Sequence, residues 1–596
     1  DIGAVNSKLS RFLPAGFYYK TFMYPRAFWK HIYEPIIRQS AGLGKAPKQR
    51  DPDQYEHFYA FTDVLVIGGG VAGLTAARAA ALTGAKVMLI EQTAHWGGRA
   101  PVDGGTVDGA PVDKFVDEIV SELKSMDNVT LRNRTMGAGV YDHGYVLGYE
   151  RVGDHQPDVK GPRHRLWRIR AAQIVTATGA IERPLSFAGN DIPGVLLASA
   201  VRDYAVDYGV SIGDRTVVVT NNDDAYRTAI TLKKLGLDVP VVLDARVTAQ
   251  DSPLIAEAKS LGIPVMMGHA ISSVKGGKRV TGVSVCSQAG EGAVLKEFAC
   301  DAVAMSGGWS PVVHLWSHCG GKLIWDEATA AFRPNVDKAP TGASGEGFVL
   351  PAGAANGVLR LDDVLADADA MGRAAAKATG HTAKKAATAP KGDAVEEAPM
   401  MPVWMMPQGA SYAKRSKAWL DYQNDVKVSD VQLAAREGFE SVEHAKRYTT
   451  LGMATDQGKL SNINGLAILS GELNRPIPQT GTTTFRPPYT PISMAAIAGE
   501  ARDERFQPLR RTPMYDWHAE NGAYWEPVGH WRRPYCYQRA GEAIEQAVSR
   551  EVNATRASLG LLDASTLGKL LVKGPDAGKF LDMLYTNMMS TLKPGR

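Results

Sequence analysis

Gly68, Gly70 and Gly73 stand at the three glycine positions of a G-x-G-x-x-G turn in the stretch Asp63–Ala77, DVLVIGGGVAGLTAA. Glycines at that spacing can hold a dinucleotide pyrophosphate. The first permits the tight turn, the second lets phosphate approach the backbone, and the third lets a helix pack closely on a strand. Val71 and Ala72 lie in the turn before that helix and are candidate cofactor contacts, and the helix N-terminus offers free N–H groups and a partial positive charge to the anion. Glu91, followed by Gln92, lies about twenty residues past the turn, where a carboxylate accepts from ribose hydroxyls. A carboxylate there repels a 2′-phosphate, which favours NAD or FAD over NADP.

The elements needed to position these residues are legible around them. Val64–Ile67 has strand length and is apolar throughout, Leu74–Leu82 is an Ala-rich helix, and Lys86–Ile90 is a second strand ending on Glu91. Gly97, Gly98 and Arg99 form a second glycine loop expected to pass beneath the cofactor. Ile174–Gly179, IVTATG, is a strand entering an Ala-Thr-Gly turn that brings Thr178 and Gly179 to the site. The competing reading is a glycine turn retained only for packing.

This module resembles the disulfide-reductase-like flavoproteins, so the fold class expected is α/β with two nested Rossmann-like units. In that family a late strand ends in Gly-Asp, and the Asp holds the flavin ribitol. The matching stretch here is Phe348–Ala354, FVLPAGA, which keeps Gly353 but has Ala354 in the Asp position. The resemblance therefore implies NAD rather than FAD. The second unit, at about 210–310, reads as strand Arg215–Thr220, helix Ala225–Leu235 and strand Val241–Leu243, with Asp244 following. Its turn is Asn221-Asn222-Asp223-Asp224, where side chains block backbone approach and two carboxylates repel a pyrophosphate. The unit is expected to keep its fold and to have lost its nucleotide.

The four cysteines, Cys286, Cys300, Cys319 and Cys536, contain no C-x-x-C pair. Dithiol chemistry, a four-cysteine iron–sulfur cluster and a cysteine zinc site are excluded, and no metal site is expected. So few scattered cysteines suit a reducing compartment. A net charge of +4 over 596 residues gives no argument for nucleic acid or a membrane, and no apolar run has membrane-spanning length.

The chain length allows about three to five domains. Residues 1–60 form an aromatic, basic arm, read as a strap packed across its own domains. Residues 61–375 form the two-unit nucleotide module, 376–403 a linker rich in Ala, Lys, Glu and Pro, and 404–485 a small helical domain without a metal cluster. Residues 486–596 contain a helix at Ala540–Ser549, a strand at Lys569–Val572 and a helical run at Asp576–Leu584. Asp516 and His518 resemble an acid/base pair, but hydrogen-bonded structure is the better reading. Both ends look cut, so a larger polypeptide is expected.

Phe12–Phe22 (FLPAGFYYKTF), Tyr33-Glu34-Pro35, Ala41-Gly42-Leu43-Gly44, Tyr448–Asn464 (YTTLGMATDQGKLSNIN), Gly481–Thr490 (GTTTFRPPYT) and Arg511–His518 (RTPMYDWH) together resemble the alpha subunit of heterotetrameric sarcosine oxidase. Leu559–Ser565, Lys573–Ala577 and Phe580-Leu581 resemble the start of a glycine-cleavage aminomethyltransferase (T-protein) fold. The resemblance implies a cytoplasmic bacterial complex with beta, gamma and delta subunits. It would oxidise sarcosine to glycine, hydrogen peroxide and formaldehyde or, with tetrahydrofolate, 5,10-methylenetetrahydrofolate. It further implies NAD on this chain, FAD and FMN on beta with the FMN near the alpha–beta interface, and zinc on a small subunit. The folate-contacting carboxylate is expected beyond Arg596, and no catalytic residue is assigned. Two alternatives remain open: a subunit of a related amine or amino-acid dehydrogenase complex, and a non-catalytic scaffold with structural NAD.

Overall fold

Strand β1, Gln54–Ile67, ends in four consecutive buried residues, as a strand covered on both faces must. Val64 and Val66 turn toward the helices, whereas Leu65 and Ile67 turn to the opposite face. This alternation follows from the two-residue period of a strand. The computed structural model describes residues 15, 20–40, 44–156, 160–247, 252–343, 345–382, 388–593 and 595, in two compact units, Asp1–Gly499 and Glu500–Arg596.

The first sheet takes in β1, β2 (Val87–Ile90), β3 (Val129–Arg132), β4 (Thr135–Tyr141), β5 (Tyr145–Arg151) and β6 (Pro162–Thr176), in the order β3-β2-β1-β6-β5-β4. β3, β2, β1 and β6 are parallel; β5 and β4 add an antiparallel edge. Helix α1, Val71–Ala81, and α2, Val112–Lys124, cover one face. After β6 the chain crosses by β7 (Ala180–Glu182) into the second unit. There β8 (Val195–Leu197), α3 (Ala198–Tyr208), β9 (Thr216–Thr220), α4 (Asp224–Lys234), β10 (Val242–Asp244), β11 (Val265–Met267) and β12 (Ala302–Ser306) follow. The strand order β8-β12-β9-β10-β11 is parallel throughout. The chain returns by β13 (Trp309–Pro311), antiparallel to β7. Strand β14 (Val349–Pro351) then pairs with β6, and α5 (Leu361–Ala378) crosses α1 so closely that a Cβ on Gly372 would lie 2.2 Å from the Ala76 carbonyl oxygen.

Helices α6 (Val428–Arg436), α7 (Val442–Thr449) and α8 (Asn462–Glu472) build the small domain around Val431, Tyr448 and Leu466, and Gly438 separates α6 from α7. The second compact unit holds α9 (Tyr515–Glu520), the hairpin β15 (Ala523–Val528) with β16 (Trp531–Tyr537), α10 (Ile544–Ala557) and α11 (Ala577–Leu584). Among the described residues, no helix is long and apolar enough to cross a membrane.

Several expectations are corrected. Phe12–Pro14, Gly16–Tyr19 and Ala41–Leu43 lie outside the described residues. In the described arm, Trp29–Ser40 contributes no buried residue, whereas Ala15 packs against the core of the small domain and Lys20 reaches Glu437 and Tyr448 there. Rings of the arm pair with one another, Phe22 and Phe28 each against Tyr33. The stretch read as a linker begins inside α5 and then docks on the nucleotide module. The domain boundary placed at 486 moves to Glu500, because Ser493 reaches His164 at 3.3 Å and the Ala496 carbonyl meets His57 at 2.9 Å. Lys569–Val572 forms no strand, and the helix expected at Ala540–Ser549 starts at Ile544 and runs to Ala557.

Candidate dinucleotide site

The three glycines answer to different demands. Gly68 has φ +109°, and a Cβ there would lie 2.2 Å from the Ala177 carbonyl oxygen. A Cβ on Gly73 would lie 1.7 Å from the Gly68 carbonyl oxygen. Both are required by the fold itself. Gly70 is different. Its φ of −69° and ψ of 177° suit any residue, and a Cβ would meet nothing nearer than 3.8 Å. Nothing in the protein requires glycine at position 70, whereas a phosphate approaching the backbone would.

Gly70 caps α1 without any side-chain hydrogen bond, so the first-turn N–H groups of Val71, Ala72 and Gly73 have no side-chain cap. Buried Glu91 sits at the end of β2; its Oε2 accepts from the Gly69 N–H at 2.6 Å and its Oε1 from the Thr93 N–H at 2.7 Å. A carboxylate offers about four lone-pair sites, so acceptor capacity for a ribose diol remains after these two bonds. Gln92 is exposed beside it. The second loop lies against the first: Gly97 N–H donates to the Gly69 carbonyl at 2.8 Å, and a Cβ on Gly98 would come within 3.0 Å of Gly70 Cα. Thr178 Oγ1 donates to the Val312 carbonyl, Val312 N–H donates to the Gly179 carbonyl, and a Cβ on Gly353 would lie 2.8 Å from Ala72 Cβ. The expected backbone residues thus converge around the start of α1.

Arg99 does not join them through its side chain. Its guanidinium is taken up by Asp203 and Asp103, so the loop offers backbone there. Ala354 sits in the turn Gly353–Asn356, where the carboxylate of Asp367 accepts from the Gly353 N–H at 2.7 Å and from Asn356. No local pattern in the sequence marks Asp367, because its contact arises only when α5 folds back on the turn.

In the second unit the acidic turn is neutralised by buried arginines. Arg246 donates to Asp223 at 2.7 Å and to Asp244 at 2.6 Å, with all three side chains buried. Arg202, fully buried, donates to Asp224 and Asp103. The chain's own 397–401 segment fills the adjoining space. Ala398 N–H donates to Asp223 at 2.7 Å, Asn221 donates to the Met401 carbonyl at 2.7 Å, and Arg227 pairs with Glu397. A composition typical of a linker conceals this docking, which depends on backbone groups.

Glu182 of β7 is buried beside Asp224 and caps α3 through the Ser199 N–H, while its Oε1 has no partner. Burial first, and Asp224 second, push its carboxyl up to about 7. A folded-state value above the unfolded value means that the folded chain binds the extra proton, so stability falls as pH rises from 4.5 to about 7. Glu182→Gln is expected to remove on the order of 3 kcal/mol of that decline, measured as urea midpoints between pH 5 and 8. An unchanged slope would refute the assignment.

The thiols sit in inert settings. Burial raises Cys300 to about 11 and Cys319 to about 12. In the second compact unit, buried His518 meets Asp563 at 3.0 Å, with Tyr537 on its other ring nitrogen. Its acidic partner is Asp563 rather than Asp516.

Residues 62–329 match the pyridine nucleotide-disulphide oxidoreductase family, 415–500 the sarcosine oxidase A3 domain, and 514–596 the GCVT N-terminal domain. The sarcosine oxidase subunit alpha of Rhizobium meliloti (strain 1021) is 40% identical over 599 residues, covering 100% of this chain and 58% of that protein. Over its whole length the chain is similar to sarcosine oxidase alpha subunits. The subunit alpha of Corynebacterium sp. (strain P-1) is 40% identical over 565 residues, covering 93% of this chain and 57% of that protein. The chain thus spans somewhat over half the length of these relatives. An L-proline dehydrogenase structure from P. horikoshii shares the fold, with a TM-score of 0.56 and 21% identity over 75% of this chain and 81% of that one.

Proposed function

We propose that this chain is the dinucleotide-binding part of a sarcosine oxidase alpha subunit and holds NAD in its first unit. The observation that carries the reading is Gly70, a glycine that the protein's own packing does not require, at the uncapped start of α1. Bound there, NAD would supply a hydride acceptor. The chain's residues bind and orient it: the first-turn N–H groups take the pyrophosphate and Glu91 the adenosine ribose. Ala354 in the flavin-anchoring position supports NAD over FAD.

In the same reading, amine oxidation takes place on a beta subunit carrying FAD and FMN. Gamma and delta subunits, one of them binding zinc, complete a cytoplasmic complex. The GCVT-like residues begin a tetrahydrofolate site that receives the one-carbon unit. The acidic second turn favours a structural role for NAD over turnover, since the second unit offers no nucleotide-binding backbone. On that account, sarcosine added to the assembled complex leaves the NAD oxidised, and growth of NADH absorbance would contradict it.

Glu91→Ala tests the site directly. Loss of a charged hydrogen-bond partner is expected to weaken NAD retention by about 1.5–3 kcal/mol, roughly 10- to 150-fold. Equilibrium dialysis of parent and variant against NAD measures it, and equal affinities would refute this placement of the ribose.

A further inference from the structure

Residues 397–401 dock on the acidic turn of the second unit, and that turn is also connected to the first site. Arg99 follows Gly98 directly, and its Nη1 donates to both carboxylate oxygens of Asp203 in α3, at 2.9 and 3.0 Å. Its Nη2 donates to Asp103 at 2.9 Å. Asp103 is shared with Arg202, at 2.7 Å, and Arg202 also reaches Asp224, the first residue of α4. A carboxylate is favourable at that helix N-terminus. Trp309 of β13 lies under the Arg99 guanidinium at 5.2 Å and donates to Asp224 at 3.3 Å. Burial alone would raise the Asp103 carboxyl, but Arg202 and Arg99 hold it below the ordinary range. A continuous ion-pair chain therefore runs from the second glycine loop to the turn that lost its nucleotide.

We propose that Asp203, Asp103, Arg202 and Asp224 form a latch that holds the Gly97-Gly98 loop against the first unit's dinucleotide and slows its release. The proposal rests on the reading that the first unit holds NAD. It gives the acidic turn a positive role, because Asp224 anchors Arg202, which anchors Asp103 beside the loop. The chain crosses between the units at β7 and β13, which pair as a two-stranded ribbon, and again where residues 388–401 run from beside Asp108 in the first unit to the acidic turn. Arg99 links the latch to the loop itself, and both carboxylate oxygens of Asp203 accept from its Nη1. These residues position the loop and do not touch reacting atoms.

The test is the release rate of NAD from the full chain, followed by exchange into excess isotope-labelled NAD. Asp203→Asn is expected to release NAD roughly five- to tenfold faster, since it breaks a charge-assisted pair. Its nucleotide-free thermal midpoint should stay near the parent's, and Asp203→Glu should restore slow release. Arg215→Ala, which removes an exposed pair with Asp238 in the same unit, should leave release unchanged. Asp103→Asn gives a second reading from the loop side. Parent-like release from Asp203→Asn, with NAD still held by both chains, would overturn the latch alone. A parent chain that captures no NAD would overturn the underlying reading and the latch with it.

Discussion

Gly70→Val folds and loses its dinucleotide, whereas Gly73→Ala does not fold properly. The difference comes from what each new Cβ meets. At position 73 it would overlap the Gly68 carbonyl oxygen at 1.7 Å, a backbone atom that cannot swing away without dismantling the turn. Overpacking against movable side chains costs about 1–3 kcal/mol, and an immovable carbonyl should cost more than about 3 kcal/mol. At position 70 the backbone is ordinary extended chain and the space is open to 3.8 Å, so the protein alone tolerates a side chain. The pyrophosphate does not, because that volume is where it must approach the helix N-terminus. Stability must be compared without nucleotide, since bound ligand stabilises the folded chain by mass action. Urea midpoints of the nucleotide-free chains and NAD content after gel filtration separate the two effects. A Gly70→Val chain that keeps full NAD would place the site elsewhere.

Arg246→Met is expected to cost 3–5 kcal/mol, the range for stripping one partner from a buried ion pair. Arg246 donates to Asp223 and Asp244, both fully buried, and Tyr226 donates to Asp244 at 2.9 Å. Without the guanidinium, two carboxylates face each other in the core. The loss should extend to the docked segment, because Arg246 also reaches the carbonyls of Ala398 and Pro399. Adding Asp223→Asn and Asp244→Asn to Arg246→Met should recover more than half of the lost stability, because the uncompensated charge is gone. Denaturant titration of the single and triple variants measures both steps. A loss below about 1 kcal/mol in the single variant would mean that the pair is solvated.

What the sequence made legible was local. The glycine spacing, the strand before it and Glu91 after it are short-range patterns, and each fixes a turn or an element end within a few residues. The acidic character of the second turn was also readable, since Asn221-Asn222-Asp223-Asp224 has no glycine to admit a phosphate. The use made of those residues was not. Arg202 and Arg246 carry no spacing signal that ties them to Asp224 and Asp223, and their pairing depends on how α3 and β10 pack. The 397–401 segment looked like a tether because its composition is that of one, yet its backbone completes the hydrogen bonds of the acidic turn. The place of Arg99 after Gly98 points to a cofactor contact, but Asp203, about a hundred residues on, redirects its side chain. Lys569–Val572 shows the opposite failure: its residues favour a strand, but Leu570 and Leu571 stand exposed without a pairing edge.

The most direct test of the central claim is mass spectrometry of the cofactor released by acid or heat from this chain, purified apart from any partner. NAD without flavin is the expected result, held by a cradle that keeps Gly70 and lacks a ribitol carboxylate at Ala354. Flavin released from this chain would contradict it and make the first unit an active flavoprotein site.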